Sequence, residues 1–181
     1  MISKNNILSR NDLTKLIKPS SIGCELGVFL GEYSDILIQS EKFHRFYLVD
    51  TFNGIVGSGD SNGENIRTFT GHYLFEFIKQ KYINNSNVSI EKADSITFLK
   101  SKPDKYFDFI YIDTVHTYEH LSSELEESLR VIKNNGFICG HDYNRDMFPG
   151  VVDAVIDFTA KYKLTYYTTP QEKLSSFIIE L

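Results

Sequence analysis

The clearest indication of the fold of this 181-residue chain is the segment Ile22-Gly23-Cys24-Glu25-Leu26-Gly27-Val28-Phe29-Leu30-Gly31. Residues 22–26 are predicted to form a buried strand, and the glycines that follow let the backbone turn tightly. A helix is predicted directly afterwards, at residues 32–39. A strand that leads into a helix in this way is the building unit of an α/β sheet.

The same alternation of strands and helices continues along the chain. Further strands are predicted at 46–49, 88–91, 107–112 and 136–140, and further helices at 66–82, 95–99, 121–132 and 151–162. The run Phe107-Asp108-Phe109-Ile110-Tyr111-Ile112 is almost continuously apolar, which is typical of a strand buried on both faces. The pattern predicts a doubly wound, mostly parallel, Rossmann-like α/β sheet.

The C-terminal residues depart from this alternation. Two short strands are predicted at 164–168 and 176–181, joined by a turn that contains Pro170. Because a short turn can join only antiparallel neighbours, this hairpin adds an antiparallel strand to the sheet. Ligands of such sheets bind at the carboxyl ends of the strands, near the switch in strand order. We therefore looked for site residues directly after the predicted strands.

The chain shows no internal repeat and no linker that would divide it. A short helix is predicted at 12–17, and Pro19 limits it. We expect a single domain over residues 1–181, with 1–19 as an N-terminal helical extension.

The composition of the chain limits which binding partners and which cell compartment are expected. The net charge is −5 and the basic residues are scattered, which argues against a nucleic-acid partner. No segment resembles a signal peptide or reaches the ~18 apolar residues of a membrane span. Cys24 and Cys139 lie in apolar segments, which indicates buried free thiols and a reducing, cytoplasmic location. We expect a small-molecule partner, no nucleic acid and no membrane, and leave open whether the chain forms a homo-oligomer.

Three positions that follow strands are candidates for binding a nucleotide. Gly27 and Gly31 permit a close backbone approach, although a plain strand–helix turn explains them as well. Asp50 ends the second strand and is placed to accept from both ribose hydroxyls, or to cap a loop. Asp94 follows the third strand, where it is placed to accept from an adenine amino group or to form the N-cap of the next helix.

Taken in order, Glu25-x-Gly27-x-x-x-Gly31, the strand-end Asp50 and Ala93-Asp94-Ser95 resemble the cofactor site of class I S-adenosylmethionine (SAM)-dependent methyltransferases. The terminal hairpin resembles the reversed last strands of that class, and the resemblance covers nearly all of the chain beyond Ser20. It implies SAM as cofactor. The predicted cofactor-binding residues are Glu25, Gly27, Gly31, Ser34, Asp50, Thr51, Asp94, Ser95 and Asp113.

A narrower resemblance is carried by three further stretches. These are Asp50-Thr51-Phe52-Asn53-Gly54, Ile112-Asp113-Thr114-Val115-His116-Thr117-Tyr118-Glu119 and Gly140-His141-Asp142-Tyr143. They are similar to small-molecule O-methyltransferases related to macrocin O-methyltransferase and to the catechol-type enzymes, which use a divalent metal, usually Mg²⁺. The resemblance implies that Asp113, His141 and Asp142 are the metal ligands.

Elementary chemistry supports a metal site but leaves the metal open. Neighbouring strand ends bring Asp113 close to His141 and Asp142, and carboxylate oxygens suit Mg²⁺. His141 departs from the acidic residue of the catechol-type enzymes, and an imidazole suits Zn, Fe or Ni better than Mg. A hydrogen-bonded loop after the strand is the alternative interpretation of these residues.

His116 is a candidate catalytic base because it lies three residues after Asp113, where the catechol-type enzymes carry a lysine base. An imidazole with its ordinary pKa of about 6.5 accepts a proton near neutrality. The alternatives are that His116 packs on the next helix or that it stacks near the cofactor adenine. His44, His72 and His120 have no comparable setting and are predicted to lie on the surface.

The sequence therefore predicts methyl transfer to a hydroxyl oxygen of a small polar molecule, such as a sugar, a phenol or a natural product. His116 would take the proton, and residues 51–65 would close over the acceptor. An NAD(P)-binding oxidoreductase is one alternative, although Gly23, Gly27 and Gly31 do not form Gly-x-Gly-x-x-Gly. A non-catalytic nucleotide-binding module is the other.

Overall fold

A computed structural model describes residues 7–53 and 71–181. The strands are β1 (Ser21–Leu26), β2 (Phe43–Asp50), β3 (Val88–Lys92), β4 (Phe107–Ile112), β5 (Ile132–Tyr143), β6 (Tyr166–Thr168) and β7 (Ser175–Glu180). The helices are α1 (Glu32–Gln39), α2 (Gly71–Lys81), α3 (Ser95–Lys100), α4 (Tyr118–Val131) and α5 (Pro149–Tyr162), and a 3₁₀ helix precedes them at Arg10–Leu16.

The strands form one sheet in the order β3-β2-β1-β4-β5-β7-β6. Strands β1 to β5 are parallel, β7 runs antiparallel to β5, and β6 runs antiparallel to β7. The predicted fold class is therefore confirmed, including the antiparallel strand from the C-terminal hairpin. The order of the strands reverses between β1 and β4, which is where sheets of this kind bind ligands.

The register brings the carboxyl ends of the central strands to one edge. Leu26 of β1 pairs with Val49 of β2 on one side and with Ile112 of β4 on the other. Ile112 in turn pairs with Gly140 of β5. Residues that follow these four positions must therefore lie close together at this edge.

Two apolar cores cover the two faces of the sheet. Along β4, Ile110 and Ile112 pack into the core under α3, α4 and α5, whereas Phe109 and Tyr111 pack into the core under the 3₁₀ helix, α1 and α2. Burying each such side chain contributes roughly 1.5–3 kcal/mol. The prediction of a strand buried on both faces is confirmed.

Several boundaries differ from the sequence prediction. The helix predicted at 121–132 ends at Val131, because Ile132 has extended backbone angles and begins β5. Ile132 is nevertheless buried in the same core as Leu121 and Leu125, so its apolar spacing continues that of the helix. The fifth strand, predicted at 136–140, is Ile132–Tyr143.

Smaller differences occur at the other elements. The second strand is longer than the predicted 46–49, the N-terminal helix at 12–17 is a 3₁₀ helix that begins at Arg10, and β6 is shorter than 164–168. The predicted helix 66–82 is described from Gly71 onward, and residues 54–70, with most of the predicted closing loop, lie outside the described residues.

Cys24 and Cys139 are buried and free, as predicted. Among the described helices, none has the length and apolar character needed to cross a bilayer.

Candidate active site

Two cavities meet at the carboxyl ends of β1 and β4. The first has a volume of about 300 Å³ and is bordered by the ends of β2 and β3 and by α3 and α4. The second has a volume of about 400 Å³ and extends towards the 3₁₀ helix and the end of β5. They share a wall made of Gly27, Phe29, Asp113 and Thr114. A ligand that passes this wall would contact both cavities.

Gly27 is needed because the backbone that follows β1 lies directly against the backbone of Asp113, which follows β4. Its φ is +87°, and a Cβ atom there would collide with the carbonyl oxygen of Asp113 and lie 2.6 Å from the carbonyl carbon. The backbone is held by hydrogen bonds from the Gly27 amide to the Val49 carbonyl (2.8 Å) and from the Asp113 amide to the Leu26 carbonyl (2.8 Å). A side chain at position 27 would push these strand ends apart.

Asp50 organises the turn after β1. Its Oδ2 atom accepts from the amides of Val28 (2.9 Å) and Phe29 (3.1 Å), and its Oδ1 atom accepts from the amide of Phe52 (2.8 Å). The structure thus shows the loop-capping role. A carboxylate offers about four acceptor sites, so these amides leave room for about one ribose hydroxyl rather than two. Asp50 and the exposed Thr51 line the first cavity, and their cofactor contact stays a prediction.

Asp94 lines the first cavity and also has a structural role. Its Oδ1 atom accepts from the Thr97 amide at 2.9 Å, so Asp94 is the N-cap of α3. This backbone hydrogen bond lowers the pKa of the Asp94 carboxyl. Ser95 follows it, buried in the cavity wall.

Behind Ser95 lies a polar network that the sequence analysis missed. Glu124 is fully buried and accepts from the Thr114 hydroxyl (2.8 and 2.9 Å). His120 Nε2 lies 3.3 Å from Glu124 Oε1 and 3.4 Å from Ser95 Oγ. The hydrogen bond to Glu124 raises the pKa of His120.

The prediction that His120 lies on the surface is therefore wrong, since it forms part of the first cavity. The available signal was the His120–Glu124 spacing of four residues, which places the two side chains on one helix face. His44 is exposed, as predicted, with Nδ1 3.2 Å from the Ser20 carbonyl oxygen. The side chain of His72 lies outside the described residues.

Glu25 is a buried acid at the floor of the second cavity. Its side chain is almost fully enclosed, and burial raises the pKa to about 8 although a hydrogen bond from Ser34 opposes the rise. Ser34 Oγ donates to Glu25 Oε2 from the buried face of α1, and it lines neither cavity. Near neutral pH the Glu25 carboxyl is therefore mostly protonated.

Gly31 lies away from both cavities. It has a φ of +72° at the N-cap of α1, and a Cβ atom there would lie 2.6 Å from the Tyr82 hydroxyl and 3.1 Å from Ile78 Cδ1. The hydroxyl of Tyr82 and the ammonium of Lys81 donate to its carbonyl oxygen. Gly31 thus allows α2 to pack closely, and the structure does not place it beside the other predicted cofactor residues.

Asp113, His141 and Asp142 come together at the ends of β4 and β5. One potential ligand atom from each lies within 4.8 Å of the others. Successive side chains of a regular strand point to opposite faces. Here the pairing of β5 with β7 is interrupted between Gly140 and Tyr143, and Asp142 has a φ of +57°. This bulge lets both side chains face Asp113.

The prediction that His141 and Asp142 follow the fifth strand is wrong, because both residues lie within β5. His141 Nδ1 is 3.2 Å from Asp142 Oδ1 and 3.9 Å from Asp113 Oδ2. The resulting group of three side chains is called the Asp-His-Asp cluster below.

His116 adjoins this cluster. Its Nε2 atom lies 2.6 Å from Asp142 Oδ2 and 3.8 Å from Asp113 Oδ1, and its ring centroid is 4.5 Å from that of Phe148. The Asp113 and Asp142 carboxylates raise the pKa of His116 to about 9. Burial opposes ionisation of Asp142, but the imidazoles of His116 and His141 outweigh it and lower the Asp142 pKa. His116 therefore carries a proton at neutral pH unless these carboxylates are otherwise neutralised.

The cluster fits a divalent metal ion. It offers two carboxylates and one imidazole, all partly or fully shielded from solvent. His116 Nε2, although close to both carboxylates, is buried and has no well-directed hydrogen-bond partner among residues 7–53 and 71–181. Carboxylate oxygens suit Mg²⁺ or Mn²⁺, and the imidazole widens the choice to other transition metals.

Comparison with known proteins gives one family match. A family described as a methyltransferase domain matches residues 22–143. No curated protein matches the sequence.

Solved structures with a similar fold include two that contain S-adenosylhomocysteine (SAH). A Streptococcus mutans protein, a candidate methyltransferase solved with SAH, aligns with a TM-score of 0.64 at 14% identity over 100% of both chains. The N-methyltransferase NodS from Bradyrhizobium japonicum, in complex with SAH, aligns with a TM-score of 0.62 at 14% identity over 94% of this chain and 82% of that one.

Spermidine synthase from Thermotoga maritima aligns with a TM-score of 0.63 at 14% identity, over 96% of this chain. The chain spans 56% of the length of that synthase. At 14% identity, these alignments establish that the fold is shared and nothing more.

Proposed function

We propose that this chain, which belongs to the methyltransferase-domain family, is a SAM-dependent methyltransferase that methylates a hydroxyl oxygen of a small polar acceptor, such as a sugar or a phenol, with help from a divalent metal. The observation that carries the proposal is the position of the Asp-His-Asp cluster: Asp113 is part of the wall that the two cavities share, and His141 lines the second cavity. A hydroxyl oxygen is a hard ligand, so a divalent metal ion held by this cluster would bind a hydroxyl better than an amine.

In this proposal the first cavity holds the nucleoside. Asp50 offers its remaining acceptor site to the ribose, and Asp94 accepts from the adenine while it caps α3. His120 and Glu124 fix the wall behind the adenine. Gly27 leaves the backbone open at the shared wall, where the methionine part would pass into the second cavity beside Glu25.

When bound, SAM supplies an activated methyl group on a sulfonium. When bound by Asp113, His141 and Asp142, a divalent ion supplies positive charge that lowers the pKa of a nearby hydroxyl. The main task of the chain is to position the acceptor, and alignment of the reacting atoms is worth up to roughly 7–11 kcal/mol in favourable cases.

His116 is the proposed proton acceptor. It lines the second cavity, and its Nε2 atom lies 2.6 Å from Asp142 Oδ2 and 3.8 Å from Asp113 Oδ1. Its raised pKa results from those two carboxylates. A positively charged metal ion that neutralised these carboxylates would therefore also lower the pKa of His116, so that its imidazole could act as a base.

SAM labelled with ¹³C in its methyl group provides the test. The protein is incubated with catechol, sugar and hydroxy-acid acceptors, with Mg²⁺ or Mn²⁺ or after metal removal, and the product carbon is identified by NMR. We expect a methoxy signal that requires metal. An N-methyl product, or transfer that is unaffected by metal removal, would refute the proposal.

Asp113→Asn and Asp108→Asn form a matched pair of variants for the same assay. Both residues lie at or near β4, but Asp108 bonds the Ile22 amide (2.8 Å) and Lys133 (2.7 Å), away from the cavities. Mn²⁺ titration followed by electron paramagnetic resonance measures binding without turnover. Asp113→Asn should lose Mn²⁺ binding and methyl transfer, whereas Asp108→Asn should keep both.

A further inference from the structure

Phe29 brings an exposed aromatic ring to the wall that the two cavities share. The residue lines both cavities, and 48% of it is exposed to solvent. Its φ is +51°, in the left-handed region that a residue other than glycine adopts only at a cost. Backbone strain of this kind is concentrated at positions that contact ligands. The position of Phe29 therefore suggests that its ring has a task in binding.

The backbone that carries the ring is fixed. The amide of Phe29 donates to Asp50 Oδ2 (3.1 Å), and the amide of Val28 donates to the same oxygen (2.9 Å). The carbonyl oxygen of Val28 accepts from the Gly31 amide (2.8 Å), and the side chain of Val28 is buried in the core under the 3₁₀ helix, α1 and α2. The point at which the ring is attached is thus set before any ligand arrives.

The ring itself is free to contact a ligand. Within residues 7–53 and 71–181, no second aromatic ring packs against Phe29 and no lysine or arginine lies over its face. Phe29 also belongs to neither of the two apolar cores. Packing of the described residues therefore does not account for an aromatic side chain at this position.

The carboxylates near the shared wall are already engaged. Asp50 accepts from three backbone amides, and Glu25 accepts from Ser34. Asp113 belongs to the Asp-His-Asp cluster. A cation at the wall would therefore need another electron-rich group. The face of an aromatic ring is such a group, because it attracts ligand cations that lie within about 6 Å of its centroid.

We propose that the ring of Phe29 binds the sulfonium of SAM through a cation–π contact and thereby makes the site distinguish the charged cofactor from its neutral product. This inference rests on the proposed function, since it places the sulfur at the shared wall. Methyl transfer forms the carbon–oxygen bond of the product and breaks the methyl–sulfur bond, whose electron pair stays on sulfur, and the hydroxyl proton goes to His116. The resulting SAH carries a neutral thioether, so the contact is lost and release of SAH is favoured.

Stacking of Phe29 on the adenine is less well supported by the layout of the cavities. Asp94, Ser95 and His120, which surround the proposed adenine position, line only the first cavity, whereas Phe29 lines both. Stacking on the adenine would also strengthen SAM and SAH binding alike, because the two molecules carry the same base. A comparison of the two affinities therefore separates these roles.

The test is calorimetric titration of SAM and of SAH into the wild type, Phe29→Leu and Phe29→Tyr, without an acceptor. Leucine keeps an apolar side chain but removes the ring. We expect Phe29→Leu to weaken SAM binding about threefold to thirtyfold more than it weakens SAH binding, and Phe29→Tyr to keep the wild-type ratio. Phe77→Leu is the control, because Phe77 is exposed on α2 and lines neither cavity. It should leave both affinities unchanged.

Fluorinated phenylalanine at position 29 provides a second measurement that keeps the shape of the ring. Fluorine withdraws electrons from the ring face, so SAM binding should weaken while SAH binding stays the same. SAM and SAH affinities that fall by the same factor, or that do not change in these variants, would overturn the role of Phe29 and leave the proposed function intact. A wild type that bound neither molecule would overturn both, whereas an N-methyl product in the labelled-SAM assay would overturn only the proposed function.

Discussion

Replacing Glu25 by glutamine should stabilise the protein in alkaline solution. The pKa of this buried acid is raised from 4.5 to about 8, chiefly by burial. Between these two pH values the folded chain holds a proton that the unfolded chain has released, so stability falls as pH rises. The stabilising contribution is complete below about pH 4.5 and is lost as pH passes about 8. At about 1.4 kcal/mol per pH unit, the total is on the order of 5 kcal/mol.

Glu25→Gln removes this dependence because the amide carries no titrating proton and still accepts from Ser34 Oγ. The assay is urea unfolding at intervals from pH 5.5 to 9, with the free energy of unfolding extrapolated to water. The wild type should lose about 3 kcal/mol between pH 5.5 and 8 relative to the variant. Glu32→Gln is the control and should follow the wild type, because Glu32 is exposed at the start of α1, the helix that contains Ser34.

Parallel pH profiles for the wild type and Glu25→Gln would refute the reasoning. They would mean that Glu25 ionises as easily in the folded chain as in the unfolded one, and that the enclosure of its carboxyl has no electrostatic effect.

Two further substitutions test the first cavity. Gly27→Ala forces a side chain into a positive-φ position against the Asp113 carbonyl. We therefore expect a loss of about 2–4 kcal/mol in the free energy of unfolding and at least tenfold weaker SAH binding by calorimetry. Unchanged SAH affinity would contradict the role given to the shared wall. His120→Ala leaves the buried Glu124 without its imidazole partner and should destabilise by about 1–3 kcal/mol in chemical unfolding. The exposed His44→Ala is its control, and equal stability of these two variants would count against the network.

Most of the fold could be predicted because each element has its own local pattern. The apolar run of β4 and the helical spacing of α5 both appear in the structure as strand and helix. The boundary between α4 and β5 could not be found, because Ile132 continues the apolar spacing of the helix while its backbone is already extended. The sequence shows that Ile132 is an apolar residue of the core, but it does not show whether a helix or a strand carries that residue.

The site could be predicted in part for a related reason. Asp113 directly follows β4, and His141 and Asp142 lie in the last residues of β5; parallel pairing brings these strand ends together, so the proximity of the three residues follows from the order of elements. The bulge that turns both His141 and Asp142 towards Asp113 gives no signal in the sequence. Neither does Arg10, which lines the second cavity and whose place there depends on contacts with Tyr33 and distant loop residues.

Gly31 shows the limit of motif reasoning. Its spacing from Gly27 resembles a ligand-binding turn, but in the structure Gly31 faces Tyr82 and Ile78 of the packed helix region instead. A glycine that permits close packing of a helix and a glycine that permits close approach of a ligand are indistinguishable in one sequence.

A crystal structure of the protein with SAH is the decisive experiment for the proposed roles of the two cavities. We predict the adenosine in the first cavity, between Asp50 and Asp94, the sulfur at the wall formed by Gly27 and Asp113, and the methionine part beside Glu25, with the Asp-His-Asp cluster still accessible to an acceptor. SAH bound anywhere else, or a sulfur atom turned away from the Asp-His-Asp cluster, would contradict it.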